Sequence, residues 1–150
     1  MRSILLGAAI GMMGSTATAH AGDRAPHDPQ QAVSGRRIYQ TQCASCHGVR
    51  GEGAPGWEQP NEQGELPAPP HNRDGHTWKH ADGVLYDTVK NGWRDPFNKT
   101  ERLTMPAFGQ TLSPKEIRAV IDYLKTLWTP EQRRFQLKES RREPFPPETR

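Results

Sequence analysis

The residues best suited to chemistry stand together in the segment Cys43-Ala44-Ser45-Cys46-His47-Gly48. Two thiols three positions apart, followed directly by an imidazole, form the attachment pattern for haem c. Each thiol adds across one vinyl group of the porphyrin, and the histidine binds the iron. A structural zinc site usually needs four Cys or His ligands, and the chain has only two cysteines. A structural disulfide would leave the adjacent histidine unexplained. The segment therefore predicts one haem, attached through Cys43 and Cys46 and ligated by His47.

A second iron ligand is predicted at Met105, in the segment Thr104-Met105-Pro106-Ala107-Phe108. A thioether is a soft, neutral ligand, and its pairing with imidazole favours ferrous iron. Pro106 disfavours helix at the residue before it, so Met105 does not belong to a helical core stripe. The alternative is a methionine that fills a gap in the core. We expect Met105 to lie on the haem face opposite His47.

A long loop rich in glycine and proline follows the cysteines, from Gly48 to Pro70. Loops of this length in compact domains usually wrap a functional group or are disordered. We expect this loop to wrap the haem edge. A proline carbonyl in it can accept the second ring N–H of His47, which would fix the tautomer of the iron ligand. Pro69 is the candidate, with Pro70 as the neighbouring alternative, and both are also plausible as plain loop prolines.

Three histidines come next, at His71, His76 and His80. They could form a metal site or supply an alternative sixth ligand. Solvent-facing or propionate-bonding histidines are the preferred interpretation, because histidine is usually a surface or half-buried residue. Further on, Trp93 and Phe97 are expected to pack on the haem or on neighbouring helices.

Helices must position these groups, and three are predicted. Asp28-Pro29 begins the first, and its buried face runs into the haem site. A short amphipathic helix covers Asp82 to Asn91, with Asp82 as its cap. Ser113-Pro114-Lys115-Glu116 is a capping box that opens the clearest helix of the chain. In the first helix, the residues that share one face are Ala32, Gly35, Tyr39, Cys43 and Cys46. In the second helix, Leu85 and Val89 face inward. In the third helix, the residues at helical spacing are Ile117, Val120, Ile121, Leu124, Leu127 and Trp128.

The first 21 residues have the three parts of a signal peptide: a basic start at Arg2, a short apolar centre and a small-residue cleavage site ending at Ala21. The apolar centre is too short to span a bilayer. We therefore predict export to the periplasm, with cleavage near Ala21. Met105 is then the only methionine of the mature chain.

Composition fits a small domain that needs a prosthetic group. Only 33% of the residues are hydrophobic, so a buried porphyrin would supply apolar mass that the side chains lack. The basic excess lies mainly in residues 129–150, and no clustered basic face suggests nucleic-acid binding.

We predict a signal peptide at 1–21, one domain at 22–128 and a polar, charged C-terminal tail at 129–150. That tail is expected to be flexible, with a helix possible from Glu131 to Ser140, and to touch a membrane at most peripherally.

Together these motifs resemble the class I mono-haem c-type cytochromes of the bacterial periplasm, over roughly residues 30–128. The resemblance implies an all-α fold with about three to five short helices around one covalent haem c. It also implies thioether bonds at Cys43 and Cys46 and axial ligation by His47 and Met105. The first and last helices should cross at a glycine flanked by aromatic residues. The positions that match this crossing are Gly35, Tyr39, Val120 and Tyr123.

The expected function is one-electron transfer rather than catalysis, and no catalytic residues are predicted. Periplasmic redox proteins would be the partners, with a dehydrogenase as donor and an oxidase or other protein as acceptor. Two alternatives stay open. One is a haem subunit of an oxidoreductase, or a gas sensor, with a labile sixth ligand. The other is a copper-handling protein that uses His71, His76 and His80.

Overall fold

The computed structural model describes residues 28–147, so the predicted signal peptide lies outside the described residues. Within this range the chain forms five α-helices and one short 3-10 turn, and its only β-structure is a single bridge between Trp93 and Met105. The predicted all-α class is therefore confirmed. The helices are α1 (Pro29–Gln42), α2 (Ala44–His47), α3 (Asp82–Asn91), α4 (Pro114–Thr126) and α5 (Pro130–Ser140), and the 3-10 turn is Thr77–Lys79.

Helix α1 begins where its cap predicts, but it ends before the haem-attachment motif. The Asp28 side chain accepts hydrogen bonds from the backbone N–H groups of Gln30 and Gln31. The helix stops at Gln42, and Cys43 caps it before α2 starts. The helical path is interrupted at Cys43, but Tyr39, Cys43 and Cys46 all line one cavity, so the predicted common face leads to that cavity. Cys43 is half-buried and Cys46 is exposed.

Helices α1 and α4 cross at Gly35. A Cβ atom added there would lie 1.8 Å from the backbone oxygen of Ala119, so only glycine allows this approach. The rings of Tyr39 and Tyr123 pack beside the crossing with centroids 5.1 Å apart. The Ser113 capping box of α4 is present, with Glu116 as its reciprocal partner. This crossing forms one wall of the core.

Helix α3 has the predicted bounds but not the predicted cap. Ala81 is the N-cap, and Asp82 is the first helical residue. The Asp82 carboxylate instead contacts the Lys125 ammonium of α4 at 2.9 Å. Leu85 is buried and Val89 packs against the core, as the periodicity predicts. Helix α3 therefore joins α4 through both apolar packing and an ion pair.

The C-terminal segment is folded onto the domain rather than free. Thr129 caps α5 in a second capping box, with Gln132 as its partner. Gln136 on α5 is only 1% exposed. Beyond α5, the ring of Phe145 packs edge-on against Tyr86, with centroids 6.4 Å apart. The possible helix from Glu131 to Ser140 is present. The expectation of a flexible tail was wrong up to residue 147, because polar groups of α5 and the Phe145 ring contact the domain in ways that helical periodicity does not detect.

Candidate haem site

The predicted haem ligands line one apolar cavity between α1, α3, α4 and the segment around Met105. Cys43, Cys46 and His47 lie on one side of it, and Met105 lies among the other lining residues. Apolar side chains from α3 and α4 complete the walls. The cavity residues from these two helices and from the segment after Met105 are Leu85, Thr88, Val89, Val120, Ile121, Leu124, Pro106 and Phe108.

His47 is buried and held by one of its ring nitrogens. Its Nδ1 lies 2.9 Å from the carbonyl oxygen of Pro69, so Nδ1–H donates and Nε2 is the nitrogen left for a metal. Burial lowers the pKa of His47, while the Pro69 hydrogen bond acts in the opposite direction. The neutral imidazole that ligation requires is thus the favoured form.

The glycine and proline loop brings Pro69 to this position. The N–H of Gly53 donates to the His47 carbonyl at 2.8 Å, and the N–H of Ala54 donates to the Ala68 carbonyl at 2.9 Å. Gly53 has a φ of +77°, and a Cβ there would lie 2.6 Å from the nitrogen of Pro70. The start and the end of the loop therefore lie in close contact. This contact holds the Pro69 carbonyl within hydrogen-bonding distance of His47.

The two cysteines are unpaired thiols in different surroundings. Cys43 is half-buried at the junction of α1 and α2, and Cys46 is exposed. Burial, together with the nearby Cys46, raises the pKa of the Cys43 thiol to about 11. Exposure of Cys46 means that a group joined to it would have one edge near the protein surface.

Met105 is fixed by a two-bond bridge to Trp93. The N–H of Met105 donates to the Trp93 carbonyl at 2.9 Å, and the N–H of Trp93 donates back at 3.0 Å. Trp93 and Phe97 are 52% and 81% exposed, so the expected packing on neighbouring helices was wrong, while packing on the haem stays a prediction. Backbone pairing orients Trp93, and Phe97 lies in a loop held by polar bonds.

His71 is buried beside His47 rather than exposed to solvent. Its ring stacks on the His47 ring with centroids 3.9 Å apart, and its Nδ1 lies 2.8 Å from the Thr77 hydroxyl. Burial holds the pKa of His71 well below its usual range. The solvent-facing alternative was wrong here, because the chain after Pro69 turns inward and His71 lines the cavity, while propionate bonding stays a prediction. No local sequence signal marks that turn.

His76 and His80 form a separate pair, with ring centroids 5.5 Å apart. Burial and the Lys79 charge contribute to lowering the pKa of both. Among residues 28–147, no three His, Cys, Asp or Glu side chains are grouped to hold a metal ion. The proposed copper site of three histidines is therefore not assembled.

The donor set of the cavity fits haem c. Two unpaired thiols, an imidazole with a free Nε2 and a thioether surround an apolar space, and these are the groups that attach and ligate such a haem. In the part of the chain that the structure describes, no helix is both long and apolar enough to cross a membrane.

Comparisons of the sequence with a family model and with known proteins agree on one family. The family model described as Cytochrome c matches residues 32–128. The chain is 31% identical over 121 residues to the Cbb3-type cytochrome c oxidase subunit FixP of Bradyrhizobium sp. (strain ORS 278), covering 77% of this chain and 38% of that protein. FixP of Azorhizobium caulinodans is 30% identical over 95 residues, covering 63% of this chain and 29% of the relative. The chain thus matches about a third of these relatives' length.

A solved structure shares the fold. It is that of cytochrome CL from the marine methylotrophic bacterium Methylophaga aminisulfidivorans MPT, with a TM-score of 0.52 and 21% identity. The superposition covers 97% of this chain and 90% of that chain.

Proposed function

The chain belongs to the cytochrome c family, whose function is haem electron transfer, and we propose that it carries one electron at a time on a single covalent haem in the periplasm. The observation that carries the proposal is the meeting of Cys43, Cys46, His47 and Met105 around one apolar cavity. The attachment motif occurs once in the sequence, which supports a count of one haem.

In this proposal the sulfur atoms of Cys43 and Cys46 would hold the haem by thioether bonds, and His47 Nε2 and the Met105 sulfur would bind its iron. The haem supplies an iron that changes by one electron. The protein contributes a neutral imidazole fixed by Pro69 and a neutral thioether fixed by the bridge to Trp93. Two neutral ligands in an apolar cavity favour the ferrous state relative to anionic ligation.

Electron carriage is preferred to catalysis because both axial positions are filled in this assignment, which leaves no iron site for a substrate. Fixed ligands also suit a carrier, since the protein then rearranges little between redox states. The exposed Cys46 side offers the short path by which electrons enter and leave.

We place the carrier in the periplasm on the strength of the sequence pattern in residues 1–21. Its partners are periplasmic redox proteins, with a dehydrogenase as donor and an oxidase or other acceptor. Contact with a membrane is peripheral at most in this proposal. A second candidate is a haem subunit of an oxidase complex, favoured by the similarity to FixP, which is an oxidase subunit.

The first experiment compares absorption spectra of the ferric protein carrying its haem with those of Met105→Ala. Wild type should be low-spin with a far-red sulfur-to-iron band, and the variant should lose the band and become high-spin. Phe97→Ala is the matched control, because Phe97 lies in the same loop and is 81% exposed. Its band should remain.

A high-spin wild type, or a Met105→Ala spectrum identical to wild type, would contradict the ligand assignment and favour a sensor or enzyme. Mass spectrometry of the same samples should give the chain plus one haem. A mass without haem would contradict the proposal as a whole.

A further inference from the structure

An ion pair joins the loop that carries Met105 to the glycine and proline loop. Arg102, three residues before Met105, donates from Nε to Glu65 Oε1 at 2.7 Å and from Nη2 to Glu65 Oε2. The Glu65 side chain is only 6% exposed, whereas that of Arg102 is 66% exposed. This paired, two-bond contact is the strong geometry for arginine and carboxylate.

Glu65 is held in place by its own loop. Its N–H donates to the Asn61 side-chain oxygen at 2.9 Å, and the Asn61 amide donates to Glu65 Oε2 at 3.3 Å. Next to it, Gly64 has a φ of +79° and faces the backbone of Phe97. The N–H of Lys99 donates to the Gln63 carbonyl at 2.9 Å. The Lys99 ammonium also donates to the Glu62 carbonyl at 2.9 Å. The two loops are therefore joined by these two bonds from Lys99 and by the ion pair.

The ion pair is connected to Met105 through a chain of polar bonds. The Asn98 side chain donates to the Arg102 carbonyl at 3.2 Å, and the Asn98 N–H donates to the Asp95 carbonyl at 3.0 Å. The Asp95 N–H donates in turn to the Thr104 hydroxyl at 3.2 Å. The Thr104 hydroxyl donates to the Trp93 carbonyl at 3.0 Å, beside the two-bond bridge between Trp93 and Met105. The larger apolar residues of this loop, Phe97 and Leu103, are 81% and 41% exposed. Polar bonds rather than apolar packing thus fix the position of the Met105 backbone.

We propose that Glu65 is a positioning residue for the sixth ligand: through Arg102 it holds the Met105 loop against the glycine and proline loop and keeps the thioether on the iron. This inference rests on the proposed function, since it requires Met105 to be an axial ligand. Exchange for an external base breaks the iron–sulfur bond and forms an iron–nitrogen bond without change of oxidation state. The ion pair opposes the loop displacement that this exchange requires.

The test is a titration of the ferric, haem-loaded protein with imidazole, followed by loss of the far-red band. Glu65→Gln should bind imidazole about tenfold more tightly than wild type, because the charge-assisted bonds to Arg102 no longer resist displacement of the loop. Arg102→Gln should give the same increase, and the double variant should add little to either.

Two controls separate this role from general stability. Glu101→Gln removes an ion pair within the same loop, from a carboxylate 94% exposed, and should leave imidazole affinity unchanged. Gln136→Leu lowers stability at a distance from the loop, and it should also leave the affinity unchanged. If Glu65→Gln fails to fold, Arg102→Gln carries the test, since its side chain lies mostly in solvent.

Imidazole affinities of Glu65→Gln and Arg102→Gln equal to wild type would overturn the inference while leaving the proposed function intact. So would an equal rise in Gln136→Leu, because the effect would then reflect general loosening. A wild type without the far-red band would instead refute the Met105 assignment, and the inference would fail with it.

Discussion

Hydrogen-bond partners help to set the protonation of His47 and Glu65. The Pro69 carbonyl selects the proton on Nδ1 of His47, which leaves Nε2 as a lone-pair donor. The hydrogen bond from Arg102 is the main cause that holds the pKa of Glu65 below its ordinary value of 4.5. In both cases hydrogen bonds favour the form of the side chain that the site needs.

The Glu65 carboxyl makes a testable contribution to acid stability. Its pKa is lower in the folded protein than in the unfolded chain, so the unfolded chain binds the proton first as pH falls. The stabilisation is present above the unfolded pKa and is lost as pH falls through the folded one. Between about pH 5.5 and 3.5, the free energy of unfolding of wild type should therefore drop more steeply than that of Glu65→Gln.

Denaturant unfolding at a series of pH values measures this difference. Protonation of His47 affects wild type and variant alike. The comparison is confined to pH values at which both proteins keep the far-red band, so it isolates the one carboxyl. Arg102→Gln should show the same shallow dependence as Glu65→Gln. Parallel curves for all three proteins would show that the ion pair contributes nothing to acid stability.

The sequence was enough to predict the haem-binding residues of the site. It was not enough to predict the burial and packing of some residues near them. Side-chain identity is enough to recognise two thiols, an imidazole and a thioether as haem ligands. It does not reveal that His71 turns inward onto His47, or that Phe97 lies in solvent. Both outcomes depend on the path of long loops, whose backbone is fixed by contacts far apart in the chain.

At the scale of secondary-structure elements, the residues that begin and end helices were enough to predict where most helices lie. Asp28-Pro29, the Ser113 box and the Asn91-Gly92 end each act within one helical turn, so they can be read without the fold. The helix break at Cys43 has no such signal. Thr129 with Gln132 is a readable capping box that marks the start of α5.

The α1–α4 crossing predicts a large effect for Gly35→Ala. The added methyl would meet the Ala119 backbone at 1.8 Å, and a backbone cannot move as a side chain can. Alanine gains roughly 1 kcal/mol in helix propensity, but the overlap should exceed that gain. We expect a net loss of about 2 kcal/mol in the free energy of unfolding.

Urea unfolding of the haem-loaded protein measures this loss. Val33→Ala is the control, because Val33 lies on the same helix and is 75% exposed. Its change should stay within about 0.5 kcal/mol. Equal stability of Gly35→Ala and wild type would mean that the helices are not in close contact at this point.

At the scale of the whole molecule, the C-terminal segment closes the side of the domain formed by α3 and α4. It covers a buried ionic cluster in which the Lys125 ammonium lies 2.9 Å from Asp82 and 3.1 Å from Asp122. The Gln136 amide donates to Asp82 at 2.8 Å and to the Ser140 hydroxyl at 2.8 Å. The domain therefore includes residues that composition alone assigns to a solvated tail.

Gln136→Leu should lower the free energy of unfolding by about 1–3 kcal/mol, because the buried hydrogen bond from the Gln136 amide to the charged Asp82 carboxylate is lost. Lys138→Ala, on the exposed side of the same helix, serves as control and should change it by no more than about 0.5 kcal/mol. Thermal and urea unfolding should agree. A neutral Gln136→Leu would mean that α5 is only loosely attached.

The burial of Cys43 bears on the order of events in maturation. A thiol whose pKa is about 11 is almost wholly protonated at neutral pH, whereas addition to a vinyl group needs the thiolate or an easily released proton. In the extended chain the same thiol is hydrated and more readily ionised. Haem attachment is thus chemically easier on a nascent, open polypeptide than on the folded domain.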